Sequence, residues 1–162
     1  MQYHNITKDD MLNGEGLRVV LWVAGCSHAC PGCHNPVTWD PKGGLEFDRA
    51  ARQELFDQLE HSYINGITYS GGDPLYVGNR EAIAELASEI RARYPRKTQW
   101  LYTGYQWEEI RGERVVPYLD AVVDGRYVEA EKDSLLPWRG SKNQRVIDVQ
   151  KSLKAGETIC RE

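Results

Sequence analysis

No apolar run in this chain approaches the ~20 residues needed to span a bilayer; the longest, Val19 to Gly25 with Trp22 inside it, falls far short. Its interior position also sets it apart from a signal peptide. Basic residues are not in excess, with 20 Lys and Arg against 24 Asp and Glu for a net charge of −4. The long-range pull toward phosphate backbones that marks nucleic-acid binders is therefore missing. Internal repeats, low-complexity tracts and long linkers are absent as well. Neither nucleic acid nor membrane is expected as a partner, and a soluble, cytoplasmic protein is the expectation. At 162 residues, 41% hydrophobic and 27% charged, the chain fits one globular domain over 1–162, with the segment 150–162 expected to lie at its periphery.

Cysteine is scarce but concentrated. Of the four, three fall within Cys26-Ser-His-Ala-Cys30-Pro-Gly-Cys33, and Cys160 stands apart. Without a secretory signal, such crowding reads as metal ligation or redox chemistry rather than a disulfide framework. A structural zinc site needs four ligands to close its tetrahedron. His28, His34 or Cys160 are candidates for the fourth, but the second paired ligand group usual in zinc sites is missing. A four-iron cluster offers another solution, in which three cysteines hold three irons and the fourth iron stays open to substrate. The spacing favours iron–sulfur and keeps zinc as a competitor. His28 is expected to face solvent, and Cys160 to be a spare thiol.

The apolar pattern alternates between two kinds of segment. Val19–Val23, Ile67–Tyr69, Trp100–Thr103 and Ala121–Val123 read as short buried strands, with a last strand expected at Val146–Val149. Apolar positions 47, 51, 55 and 59 mark one helix. Ile83, Leu86, Ala87, Ile90 and Tyr94 mark another, with Asn79 as its N-cap and Pro95 as its terminator. A short helix is expected from Trp107 to Arg111. Strand, loop and helix in this order predict βαβ units and a mostly parallel sheet, in which function gathers at the C-terminal strand ends. The cysteine loop, Gly71-Gly72-Asp73-Pro74, Thr103-Gly104 and Asp124-Gly125 all fall on that rim. The basic group Arg91, Arg93, Arg96 and Lys97 reads as a solvated helix end.

The Cys-x3-Cys-x2-Cys loop after a first strand, with a Gly-Gly-acidic-Pro turn after the second, resembles the radical S-adenosylmethionine superfamily. Several further motifs narrow the likeness: Asn13-Gly14-Glu15-Gly16-Leu17-Arg18, Cys30-Pro31-Gly32-Cys33-His34-Asn35, Thr38-Trp39, Ser70-Gly71-Gly72-Asp73-Pro74-Leu75, Thr103-Gly104-Tyr105, Val123-Asp124-Gly125 and Trp138-Arg139-Gly140-Ser141. Together they make the chain similar to the activating proteins of anaerobic ribonucleoside-triphosphate reductase, up to about Val149. The resemblance implies an α/β fold whose βα repeats form a short, incomplete barrel of the radical S-adenosylmethionine, partial TIM-like kind. It implies one [4Fe-4S] cluster held by Cys26, Cys30 and Cys33, whose open iron chelates S-adenosylmethionine.

Cofactor contacts are then expected from Gly32, His34, Gly71, Gly72, Asp73, Thr103 and Asp124. His34 is either a stacking surface for adenine or a hydrogen bonder near the cluster. Asp73 would meet an ammonium or shape a turn, and Asp124 would bind ribose or a cation or fix Arg126. Arg18 is expected to be structural, near the cluster loop, and Trp138 with Arg139 to form part of a docking surface. The implied activity is an oxidoreductase reaction that makes a glycyl radical. Its partners would be the large catalytic subunit of the reductase and a reduced flavodoxin-like or other low-potential donor. A chain this short would leave the barrel open to a protein substrate. An activase of a formate-lyase type of enzyme, or a zinc or iron–sulfur interaction module without turnover, are the alternatives.

Overall fold

The computed structural model describes residues 1–161. Its strands are β1 (Gln2–Asp10), β2 (Arg18–Val23), β3 (Leu45–Glu46), β4 (Gly66–Gly71), β5 (Thr98–Tyr102), β6 (Ala121–Asp124) and β7 (Arg145–Asp148). The helices are α1 (Arg49–Leu59), α2 (Arg80–Arg93), the single turn α3 (Trp107–Ile110) and α4 (Val149–Ala155). The strands form one sheet in the order β3-β1-β2-β4-β5-β6-β7.

The expectation of a mostly parallel sheet is corrected to a mixed one. β2, β4, β5 and β6 run parallel, but β1 pairs antiparallel with both β2 and β3, and β7 pairs antiparallel with β6. Connection length accounts for the first reversal. Residues 11–17 are too few for a crossover, and an antiparallel partner is what a short turn can reach.

Side-chain alternation along the parallel strands sorts the two faces of the sheet. Val19, Leu21, Ile67, Tyr69 and Leu101 join Leu55 and Leu59 of α1 and Ile83 and Ile90 of α2 in the main core. Their neighbours Trp22, Ser70 and Tyr102 point to the opposite face and line a cleft. Below the cleft, Trp100, Ala121, Val123 and Val146 form a smaller apolar cluster with Trp138 against it. Both long helices begin where polar side chains assist. Asp48 caps α1 by accepting from the Ala51 amide at 2.9 Å. Asn79 stands at the start of α2 as the sequence indicates, but its side chain donates to the Ala24 carbonyl at 2.8 Å instead of capping. That bond ties the helix to the segment leading into the cysteines.

Arg18 lies at the opposite, N-terminal end of the parallel strands, away from the cysteine loop beside which it was expected. It is fully buried. Its Nε donates to Thr68 Oγ1, Nη1 to the Glu15 carbonyl and Thr98 Oγ1, and Nη2 to the carbonyls of Ile67 and Thr98, at 2.7–3.0 Å. A guanidinium has five N–H groups, so every one is used. Burial pulls its pKa down to about 10, which leaves it charged at neutral pH.

The end of the chain returns to this floor. After α4 the backbone turns at Gly156 in the left-handed region and runs beside β7, with bonds from the Asp148 amide to the Ile159 carbonyl at 2.9 Å and from the Arg161 amide to the Val146 carbonyl at 2.7 Å. The Arg161 guanidinium lies over Trp100 and Trp138, 5.2 and 5.9 Å from the ring centroids, and pairs with Glu15. Among the described residues no helix is long and apolar enough to cross a membrane.

Candidate functional site

The C-terminal ends of β2, β4, β5 and β6 share one rim, and the loops leaving them surround a cleft of about 540 Å³. Cys26, Cys30 and Cys33 all line it and all are half-buried free thiols. Their loop has no regular secondary structure and is held by neighbours. The Gly25 amide donates to the Thr38 carbonyl at 2.7 Å, the Cys26 amide to Trp39 at 3.1 Å, and the Cys33 amide closes a turn on Cys30 at 3.1 Å. The Asn35 amide approaches Cys33 Sγ at 3.4 Å. Burial pushes the Cys26 thiol up, while a hydrogen bond from the His28 backbone amide works the other way. Three thiols on one cleft are a donor set suited to an iron–sulfur cluster, whose irons take one cysteine each.

Gly71 and Gly72 line the same cleft, and both are required by packing before any ligand is considered. Gly71 has φ +109° and its missing Cβ would collide with the backbone of Val23. A Cβ on Gly72 would lie 2.5 Å from the Gly25 carbonyl oxygen and 2.8 Å from that of Thr38. The glycine pair lets the turn after β4 press against the cysteine loop. The amides of Gly72 and Asp73 are donated to Val23 and Gly25 at 2.8 and 2.7 Å.

Asp73 is buried beneath the cleft wall. Its Oδ1 accepts from the Leu75 amide at 2.8 Å, and its Oδ2 from Thr103 Oγ1 at 3.0 Å, the Gly104 amide at 2.9 Å and His28 Nε2 at 2.7 Å. A carboxylate offers about four lone-pair sites, two on each oxygen, so Oδ2 is saturated by neighbouring loops while Oδ1 keeps one site. Asp73 serves the turn and the rim. His28, expected in solvent, has a side chain only 4% exposed. Thr103 does line the cleft, with its hydroxyl also accepting from the Tyr105 amide at 3.2 Å.

Asp124 is placed differently from the expectation. Its Oδ1 accepts from the Arg145 amide and Nε at 3.2 and 3.1 Å, and its Oδ2 from Arg145 Nη2 at 2.6 Å and the Trp107 amide at 2.8 Å. Buried and fully engaged, it starts α3 and joins β6 to β7 rather than lining the cleft. Gly32 also lies off the cleft, with φ +75° and the Glu129 carboxylate in the place a Cβ would take. His34 is on the wall, 4.8 Å from the Tyr127 ring. Trp138 packs half-buried on Trp100 at 5.1 Å and its indole borders the cleft beside Arg139.

A family model described as a 4Fe-4S single cluster domain matches residues 12–147. The chain is 46% identical to the anaerobic ribonucleoside-triphosphate reductase-activating protein of Enterobacteria phage T4, over 90% of this chain and 93% of that one. Against the proteins of the same name from Escherichia coli and Haemophilus influenzae, identity is 41% and 37%, covering 90% and 89% of this chain and 97% and 96% of theirs. The chain belongs to this family of activating proteins.

The site has two further features. The first is charge. Lys132 and Arg139 line the cleft and no Asp or Glu does, although the chain carries a net −4. The nearby acids have been turned to other partners. The second is Arg145, opposite Asp124 in the β6–β7 register, which also reaches Glu108 at 2.8 Å. Hydrogen bonds from Arg145 and Thr158 hold the Glu108 carboxyl down at about 2. Since this folded-state value is depressed, its contribution is present above the ordinary carboxylate pKa and lost as pH falls through 2. Glu108 is half exposed, which limits the effect to about 0.5 kcal/mol. Glu108→Gln should lower the melting temperature slightly at pH 7, and thermal melts should show the difference from the unmodified protein closing between about pH 4.5 and pH 2.

Proposed function

We propose that this chain activates an anaerobic ribonucleoside-triphosphate reductase by placing a glycyl radical on its large catalytic subunit. The observation that carries the reading is the meeting, in one cleft, of the thiols of Cys26, Cys30 and Cys33 with the backbone of Gly71 and Gly72. In this reading the three cysteines hold a [4Fe-4S] cluster. When bound, cluster and S-adenosylmethionine would supply a one-electron reductive cleavage of the sulfonium, drawing on a low-potential, flavodoxin-like donor and releasing methionine with a 5′-deoxyadenosyl radical able to take an α-hydrogen from a backbone glycine.

The chain's own residues bind, orient and shield. With the amides of Gly72 and Asp73 already donated, the carbonyls of the glycine turn are the groups suited to an ammonium. Lys132 and Arg139 supply cations for a carboxylate, and the paired rings of His34 and Tyr127 offer a stacking surface for adenine. Four parallel strands with helices on one face and the cleft on the other support the reading of a short, incomplete barrel. Its open side admits a loop of the partner, and Trp138 with Arg139 stands at that opening as a docking element. The names of the relatives favour the reductase over a formate-lyase type of partner.

Anaerobic reconstitution should give about four irons and four sulfides per chain. Addition of S-adenosylmethionine should change the electron paramagnetic resonance signal of the reduced cluster, and 5′-deoxyadenosine should accumulate with glycyl radical on the reductase. Stoichiometric zinc with no such signal under strict anaerobic handling would leave a non-catalytic interaction module instead.

A further inference from the structure

His28 lies in the middle of the cysteine loop, two residues from Cys26 and two from Cys30. Its neighbours Ser27 and Ala29 are exposed, yet its own side chain is 4% exposed. The ring lines the cleft wall and leans against two other loops. There its Nε2 meets Asp73 Oδ2 at 2.7 Å. An ionised carboxylate only accepts, so Nε2 carries the hydrogen. Thr103 Oγ1 and the Gly104 amide converge on the same oxygen, and the Tyr105 ring meets the imidazole edge to face, centroids 4.6 Å apart at 75°. Behind Tyr105 stands the Arg80 guanidinium, 5.3 Å from the ring centroid.

Gly104 completes the seat by what it lacks. A Cβ there would lie 2.7 Å from His28 Nε2 and 2.9 Å from its Cγ, so any side chain would evict the ring. The residue after His28 shows the loop bending around this anchor. Ala29 adopts φ 50°, a left-handed conformation that a non-glycine residue holds only where its surroundings impose it.

We propose that His28 is the positioning residue of the cysteine loop, a plug whose socket is Asp73, Thr103, Gly104 and Tyr105. This rests on reading the cysteines as the cluster's ligands. The Thr103-Gly104-Tyr105 motif is thereby given a use: it receives the loop after β2 and sets its thiols against the ends of β4 and β5. A carboxylate shared by three strand-end loops makes the loop rigid where helix or strand is absent.

The test uses His28→Leu, which keeps bulk but removes the donor, and His28→Gln, whose Nε2 can reach Asp73 as the imidazole does. In cluster-free protein, amide hydrogen exchange of residues 26–33 should speed up by about tenfold or more in His28→Leu while the strands keep their protection. His28→Gln should remain near the unmodified protein. Gly104→Val, which leaves His28 in place but blocks its seat, should behave like His28→Leu. In reconstituted protein, reduced His28→Leu should show a broadened or multiple electron paramagnetic resonance signal, because hydrogen bonding around the ligand sulfurs differs among loop conformers. Unchanged exchange in His28→Leu, or His28→Gln matching His28→Leu, overturns the proposal. Failure of the cluster reading shows separately, as an unmodified protein that takes up no iron while the exchange comparison stands.

Discussion

Gly72→Val should yield a protein whose sheet forms but which retains almost no cluster after anaerobic reconstitution. The added Cβ meets two carbonyl oxygens, of Gly25 at 2.5 Å and Thr38 at 2.8 Å, and neither can withdraw freely. The Gly25 oxygen is held by the Asp73 amide and the Thr38 oxygen by the Gly25 amide, each at 2.7 Å. The strain must go into separating the turn after β4 from the cysteine loop, which is the contact that brings thiols and glycine backbone together. Overpacking of this kind costs about 1–3 kcal/mol when neighbours can shift, and here the neighbours are backbone. Misplacement of about 1 Å can cost 10²-fold in rate. 5′-Deoxyadenosine formation per chain should therefore fall by at least about that factor, with iron near zero. Circular dichroism separates this outcome from unfolding, and a variant with full iron and full turnover would show that the contact is dispensable.

Arg18→Met should have the opposite profile, with a large loss of stability and little effect on the chemistry of whatever fraction stays folded. The guanidinium's partners include three main-chain carbonyls, of Glu15, Ile67 and Thr98. Removing the donors strands buried acceptors, at about 1–3 kcal/mol each, so denaturant titration of cluster-free protein should register a loss of about 3 kcal/mol or more. Arg18→Lys should fall between, because an ammonium brings three donors in place of five and has no planar fork. Iron content per folded chain should stay near that of the unmodified protein, since Arg18 lies at the far end of the strands from the cysteines. A near-neutral melt for Arg18→Met would mean that water or neighbouring side chains take up the exposed carbonyls.

The parallel heart of the sheet was legible in the sequence because its strands centre on short buried apolar runs, and because α1 and α2 carry a clean stripe. β1 was not, for a physical reason. Of its nine residues only Ile6 is buried, so it shows no alternation to read, and it is held by backbone pairing to β2 and β3. α4 was hidden in the same way, behind a short sequence with only Val149 and Ser152 buried. At the site, cysteines and glycines announce themselves through spacing and through backbone demands that few residues meet. The carboxylates do not. Asp73 and Asp124 look alike as acids on a rim, and their partners come from distant loops and from the facing strand. The Asp124–Arg145 pair could have been anticipated once β7 was set antiparallel to β6, which places the two opposite each other. For His28 no local signal existed, since nothing in a polar loop tells a solvent-facing histidine from one that leans against its neighbours.

The fate of those acids bears on how the protein should be thought of as a charged object. Asp73 and Asp124 act as mortar between strand ends, spent on internal donors, while Lys132 and Arg139 are left facing the cavity. An isoelectric point near 5.6 describes the outer surface that meets solvent and exchange resin. The interior wall presents the reverse polarity, so the field felt by an anionic group changes from repelling outside to attracting within the cleft.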